Sequence, residues 1–209
     1  MMETPEPDET LRAAMESLAG QDADIAVAYK SCGLPPVRRA RADFAGLVRA
    51  IAAQQLSNKA AAAILARLEE SVPEVTPPAL LALDEDRARQ IGLSRQKVRY
   101  IHGIAEAVES GRLDFATLAE APDDEVIAAL TGLKGVGVWT AEVFLLFAFQ
   151  RPDVFPAQDL ALQVAGGRLK GLDGRPSAAA LREIAEDWRP YRSAAARFLW
   201  HYYRHPGVA

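Results

Sequence analysis

Residues 43–70, DFAGLVRAIAAQQLSNKAAAAILARLEE, place apolar side chains three and four apart on both sides of a short polar break, QQLSN. That spacing is the 3.6-residue period of a helix, and the strict β-branched alternation of a half-buried strand is missing along the chain. The apolar stripe of each helix needs a partner, and the chain offers other helices to supply it. The pattern predicts two helices here, with the break near Gln55–Asn58 and Ser57 capping the second. Thr76 and Ser94 read as further caps, with prolines after Thr76 at the first helical positions and a turn at Gly92. Short helices are expected at 78–83 and 84–90, and longer ones at 95–110, 124–130, 138–149, 159–168, 177–187 and 190–204, with a further helix near the N-terminus. The chain reads as all-α with short loops, and it contains no internal repeat.

Other features exclude function classes. Half of the 209 residues are apolar and a quarter are charged, as in an ordinary globular protein with a substantial core. No apolar run reaches membrane-spanning length, and the opening MMETPEPDET is acidic, unlike a signal peptide. A cytoplasmic protein without a membrane partner is expected. Cys32 is the single cysteine, so the chain cannot close a disulfide on itself or hold a multi-cysteine metal cluster.

The net charge of −4 is unevenly spread. Residues 1–24 carry seven acids and one base, a local charge of −6, which leaves +2 over the other 185 residues. Basic residues then cluster at Arg38, Arg39 and Arg41, from Arg87 to Arg99, and from Arg189 to Arg204. Each cluster by itself reads as a solvated helix face, and the three together are compatible with a basic footprint without establishing one.

The stretch LTGLKGVGVWTA, residues 130–141, places Gly132, Gly135 and Gly137 between two apolar helices. Glycines in such a connection permit positive φ and close backbone approach. Successive amides at the start of the second helix then suit a phosphate. The same glycines also serve simply to end one helix and pack two together, and spacing leaves both readings open.

At this point the residues resemble a known family. Leu133-Lys134-Gly135-Val136-Gly137-Val138-Trp139-Thr140-Ala141 is similar to the helix–hairpin–helix signature of DNA glycosylases. Beyond it, DVFPAQDLALQ (153–163) resembles the proline-containing segment that carries that superfamily's essential aspartate, which falls on Asp159. IAAQQLSNKAA (51–61), GLSRQKVRYI (92–101) and WRPYRSAAARFLW (188–200) resemble the 3-methyladenine DNA glycosylase II, or alkylation-repair, branch. The likeness runs in order from about residue 40 to 204.

The resemblance implies two helical lobes with a cleft between them, 1–48 with 148–209 and 49–147, in the compact form without an extra N-terminal β-rich domain. It implies a monofunctional glycosylase that rotates an alkylated purine, such as 3-methyladenine, out of double-stranded DNA and hydrolyses its N-glycosidic bond. Asp159 would be the catalytic carboxylate; by its local sequence alone it reads as a helix N-cap, and the resemblance adds the catalytic role. Lyase relatives carry a lysine at the position of Trp139, so the tryptophan implies the absence of lyase chemistry and an aromatic wall for a cationic base. Tyr191 would be a second pocket aromatic, and Val143 stands where some relatives have a pocket tyrosine. Lys134, Gly135, Val136, Gly137 and Thr140 would form the DNA-binding hairpin. Gln55 would enter the gap left by the flipped nucleotide, with Gln54 and Ser57 supporting that loop or contacting the backbone.

The carbonyls of Thr131, Leu133 and Val136 would hold a monovalent cation, Na⁺ or K⁺. No cofactor is otherwise required, and the lack of four cysteines rules out an iron–sulfur cluster within the chain. A monomer in a bacterial cytoplasm, associated with the nucleoid, completes the expectation. Two alternatives stay open: a helix–hairpin–helix module that binds DNA without chemistry, and a glycosylase for deaminated or oxidised bases. Asp159 separates the first from the enzyme, because a binder has no use for an acid facing the sugar.

Overall fold

The structure is a computed structural model that describes residues 8–205; the acidic start, MMETPEP, lies outside the described residues. Thirteen α-helices and no strands occur among them. No helix in this range is long and apolar enough to cross a membrane. The chain divides into two units, Ala40–Phe149 and the two terminal segments before and after it.

The central unit contains α3 (Phe44–Ala53), α4 (Asn58–Ser71), α5 (Pro77–Leu81), α6 (Glu85–Ile91), α7 (Arg95–Glu109), α8 (Phe115–Glu120), α9 (Asp123–Thr131) and α10 (Val138–Phe147). Five of its helices begin at short polar side chains that accept first-turn amides, Asp43 for α3, Ser57 for α4, Asp84 for α6, Ser94 for α7 and Asp114 for α8, whereas Thr76 before α5 makes no such bond. Helix α3 packs on α4 and α7, and α9 packs on α10. Leu47, Ile51, Leu68, Ile101, Ile104, Leu130 and Leu145 form the core between them. The unit starts at Ala40 rather than at 49. The Ala40 amide donates to the Phe147 carbonyl, and α3 buries Phe44, Leu47 and Val48 within this unit. A boundary at 49 would cut that rigid helix in two.

The terminal unit contains α1 (Glu9–Gln21), α2 (Ala23–Cys32), α11 (Leu160–Leu169), α12 (Ala178–Glu186) and α13 (Arg192–Arg204). Helix α11 packs on α13, and α1 packs on both α2 and α13. Trp188 is fully buried, and its indole N–H donates to Asp22 Oδ2 at 2.7 Å. Lys170 Nζ reaches the same oxygen at 2.6 Å. Burial pushes the Asp22 carboxyl up, but the bonds from Lys170, Trp188 and the Ile25 amide outweigh it and hold the group below its ordinary range.

Two features differ from the sequence expectation. The N-terminal helix is two helices, because Asp22 ends α1 and caps α2. Helix α8, six residues capped by Asp114, had no visible period, since under two turns present too few apolar positions to count.

Candidate functional site

The central unit carries the glycine hairpin between α9 and α10. Gly135 has φ +90°, and a side chain there would collide with the ring of Tyr100 on α7. This glycine is therefore required by the fold itself. Gly137 is different. Its backbone is extended, with φ −90° and ψ 169°, and a Cβ on it would meet nothing within 4 Å. Gly137 is also the N-cap of α10 and supplies no capping side chain. The first-turn amides of α10 cannot bond within the helix, and Gly137 brings no side chain to cap them. Amides at the positive end of a helix dipole are the kind of group that suits an anion.

Two of the hairpin residues turn inward. Val136 is buried and its N–H donates to the Leu133 carbonyl at 3.1 Å, so this amide closes the turn. Thr140 is only 5% exposed, and its hydroxyl oxygen accepts from Gln54 Nε2 at 3.2 Å. Its side chain faces inward, and only its backbone amide belongs to the first turn of α10. Lys134 is exposed on the hairpin. Trp139 keeps 38% of its surface exposed and is not a core residue. Val143, one turn further, is half-buried.

The break after α3 is locked to this hairpin. Gln54 Nε2 donates to the Gly135 carbonyl at 3.0 Å as well as to Thr140, which commits both amide hydrogens inside the protein. Gln54 thus ties the break after α3 to the hairpin. Lys97 Nζ donates to the carbonyls of Ala52 and Gln54 at 2.7 and 2.9 Å, and burial lowers its pKa. A cation at the C-terminal end of α3 complements the dipole there. The exposed Gln55 is held at φ 57°, a left-handed conformation that costs a non-glycine residue energy and is over-represented at functional loops. Leu56 beside it is also exposed, and Ser57 is the cap of α4.

The terminal unit carries Asp159, at the N-cap of α11. Its Oδ1 accepts the Leu162 amide at 3.0 Å and the indole N–H of Trp200 at 3.1 Å. The segment leading to it is fastened to α13. Asp153 accepts from Arg192 Nε at 2.8 Å and from Arg189 Nη1 at 2.6 Å. The Val154 amide donates to Ser193 Oγ at 2.9 Å, and that hydroxyl donates back to the Val154 carbonyl at 3.0 Å. Phe155 and Ala157 are buried, and Gln163 Nε2 donates to the Ala157 carbonyl at 2.9 Å. Asp159 is thus both a cap and a carboxylate fixed in rotation. Gln158 before it is exposed, and Tyr191 is half-buried at the N-cap of α13.

The positioning partners Lys97, Tyr100, Asp153 and Trp200 were not singled out from the sequence. Trp200 closes a block that resembles the family, but its bond to Asp159 spans 41 residues and has no local signal. The cation ligands fit in one respect. Thr131 ends α9 and Leu133 follows it, where carbonyls leave the helix at the negative end of its dipole. Among the described residues, no group of three or more His, Cys, Asp or Glu side chains is placed to hold a metal.

Residues 48–190 match the family described as HhH-GPD superfamily base excision DNA repair protein. The DNA-3-methyladenine glycosylase 1 of Schizosaccharomyces pombe is 37% identical over 158 residues, covering 74% of this chain and 69% of that protein. The solved structure of the 3-methyladenine DNA glycosylase of the same yeast, in complex with abasic DNA, superposes with a TM-score of 0.82 at 33% identity, over 90% of this chain and 95% of that one. A DNA-3-methyladenine glycosidase from Bacillus halodurans gives 0.77 at 35% identity, over 95% and 88% of the two chains. The chain belongs to the HhH-GPD superfamily of base excision DNA repair proteins.

Proposed function

We propose that the chain is a monofunctional DNA glycosylase that excises alkylated purines from duplex DNA. The observation that carries this reading is the Asp159 carboxylate, held by the Leu162 amide and the Trp200 indole in a chain of this family. A ring-alkylated purine is cationic and leaves readily, so the enzyme's main task is to stabilise positive charge developing on the sugar. A fixed carboxylate does this without reorganising at the moment of reaction. The same group orients, and accepts a proton from, the attacking water.

The remaining residues take supporting roles. The uncapped first turn of α10, with Lys134 beside it, holds a backbone phosphate. Gln55 and Leu56 sit on the exposed break after α3, suited to the gap left by an extruded nucleotide. The exposed indole of Trp139 suits stacking on a cationic base and has no amine with which to form a Schiff base. Tyr191 and Val143 are further candidates for the base pocket. The carbonyls of Thr131, Leu133 and Val136 would hold Na⁺ or K⁺, which would supply positive charge beside the phosphate. We expect a monomer acting on the nucleoid in the cytoplasm.

The test is base release from methylated duplex DNA by wild type and Asp159→Asn, with chromatography of the freed bases and a strand-nicking control. Release of 3-methyladenine or 7-methylguanine by wild type alone, without nicking, is expected. Undiminished release by Asp159→Asn would remove this residue from the mechanism. No release with DNA binding intact would favour the non-catalytic module or another lesion.

A further inference from the structure

The loop that follows α3 is held by a side chain from α7, 43 residues further along the chain. Lys97 Nζ donates to the carbonyl of Ala52, in the last turn of α3, at 2.7 Å, and to that of Gln54 at 2.9 Å. The Gln54 carbonyl belongs to the planar peptide that joins Gln54 to Gln55. The ammonium therefore fixes the plane from which Gln55 departs at φ 57°. Burial lowers the Lys97 pKa, and among the described residues no carboxylate offsets that burial. A charge half out of water is costly to keep. Here it is met by two backbone carbonyls of one loop, at the negative end of α3.

The same face of α7 reaches the hairpin. Tyr100, one turn beyond Lys97, lays its ring against Gly135. The Gln54 side chain closes the third side, donating to the Gly135 carbonyl at 3.0 Å and to Thr140 Oγ1 at 3.2 Å. On the far side of the loop, Ser57 is committed to capping α4. Everything around Gln55 and Leu56 is thus fastened, while these two residues stay exposed.

We propose that Lys97 is the positioning residue of the DNA-inserting loop: by gripping the Ala52 and Gln54 carbonyls it presets Gln55 for entry into the gap left by an extruded nucleotide. The inference rests on the reading of Gln55 as the inserting residue. A loop already held in its bound conformation loses little freedom when it inserts, and affinity gains by that difference. On intact duplex there is no gap to fill, so Lys97 contributes there only through its charge.

The experiment is fluorescence anisotropy at one fixed salt concentration, with a duplex carrying a tetrahydrofuran abasic analogue and the matched intact duplex. The ratio of the two affinities is the gap preference, and the loss of a general positive charge cancels in it. Lys97→Met should cut the preference of wild type about tenfold, the weight of one charge-assisted bond. Gln55→Ala should cut it too, and adding Lys97→Met to Gln55→Ala should change it further by less than about twofold, because both act through one contact. A second readout needs no DNA: chymotrypsin cleavage after the exposed Leu56 should be about tenfold faster in Lys97→Met, whose loop is no longer held. Thermal melting checks folding, and Lys97→Gln, which keeps a donor without the charge or the full reach, carries the same measurements if Lys97→Met does not fold. A wild-type preference in the Lys97 variant, additive losses in the double variant, or unchanged cleavage at Leu56 each overturns the inference while Gln55→Ala still shows its loss. An unchanged preference in Gln55→Ala overturns the insertion reading itself, and the inference with it.

Discussion

The two hairpin glycines, two residues apart, should respond to substitution in opposite ways. Gly135→Ala forces a left-handed backbone at φ +90° on a residue with a Cβ, and drives that Cβ into the Tyr100 ring. The conformation costs about 1–2 kcal/mol, and displacing a packed ring costs about 1–3 kcal/mol more. The sum, about 2–5 kcal/mol, is a large part of the roughly 5–15 kcal/mol that keeps a domain folded. Gly137→Ser meets nothing, keeps an extended backbone that serine adopts readily, and installs a good N-cap on α10. It should raise stability by a few tenths of a kcal/mol. Its hydroxyl, however, would accept a first-turn amide that the proposed interface offers to phosphate. Duplex affinity should then fall by about 1.5 kcal/mol, on the order of tenfold.

Denaturant unfolding gives the stabilities, and fluorescence anisotropy with labelled duplex at one fixed salt concentration gives the affinities. The expected pattern is Gly135→Ala unstable and Gly137→Ser stable but weak in binding. A Gly137→Ser protein that binds DNA as wild type does would refute the amide–phosphate contact. A Gly135→Ala protein as stable as wild type would refute the conformational argument.

Trp200→Phe keeps a ring in the packing and removes the N–H that holds Asp159 Oδ1; kcat for base release should fall about tenfold with KM little changed, the loss of one bond to a charged group. An unchanged kcat would leave Trp200 as filling only. Asp22→Asn, measured by guanidinium unfolding at pH 7, should cost about 1.5–3 kcal/mol, since the charge-assisted bond from Lys170 is lost while Asp24 still pairs with that ammonium. Because the folded Asp22 pKa lies below the unfolded value, its stabilisation is present above that value and disappears as pH falls through the lowered one. Wild type should therefore lose more stability on acidification below about pH 4 than Asp22→Asn does; equal acid slopes would mean the carboxyl is not held low.

Much of this protein was legible before its structure, because helices are local objects. The caps Ser57 and Ser94, the turn at Gly92 and the break after α3 all fell where polar or glycine residues interrupt an apolar period. The hairpin and the acid at 159 were visible because each is carried by a contiguous motif. Helix α8 escaped because it is too short to show a period. The inward turn of Thr140 escaped because it depends on Gln54, which is 86 residues distant.

What the sequence determined by itself is most of the helices and many of their start and stop signals, since propensity and capping act over four or five neighbours. Tertiary structure alone decided which unit owns α3. It also decided that Gly135 is required by Tyr100 while Gly137 is not, and that Trp200 steadies Asp159. Each of these rests on contacts between residues tens of positions apart, and their partners are chosen by packing, which no local pattern encodes.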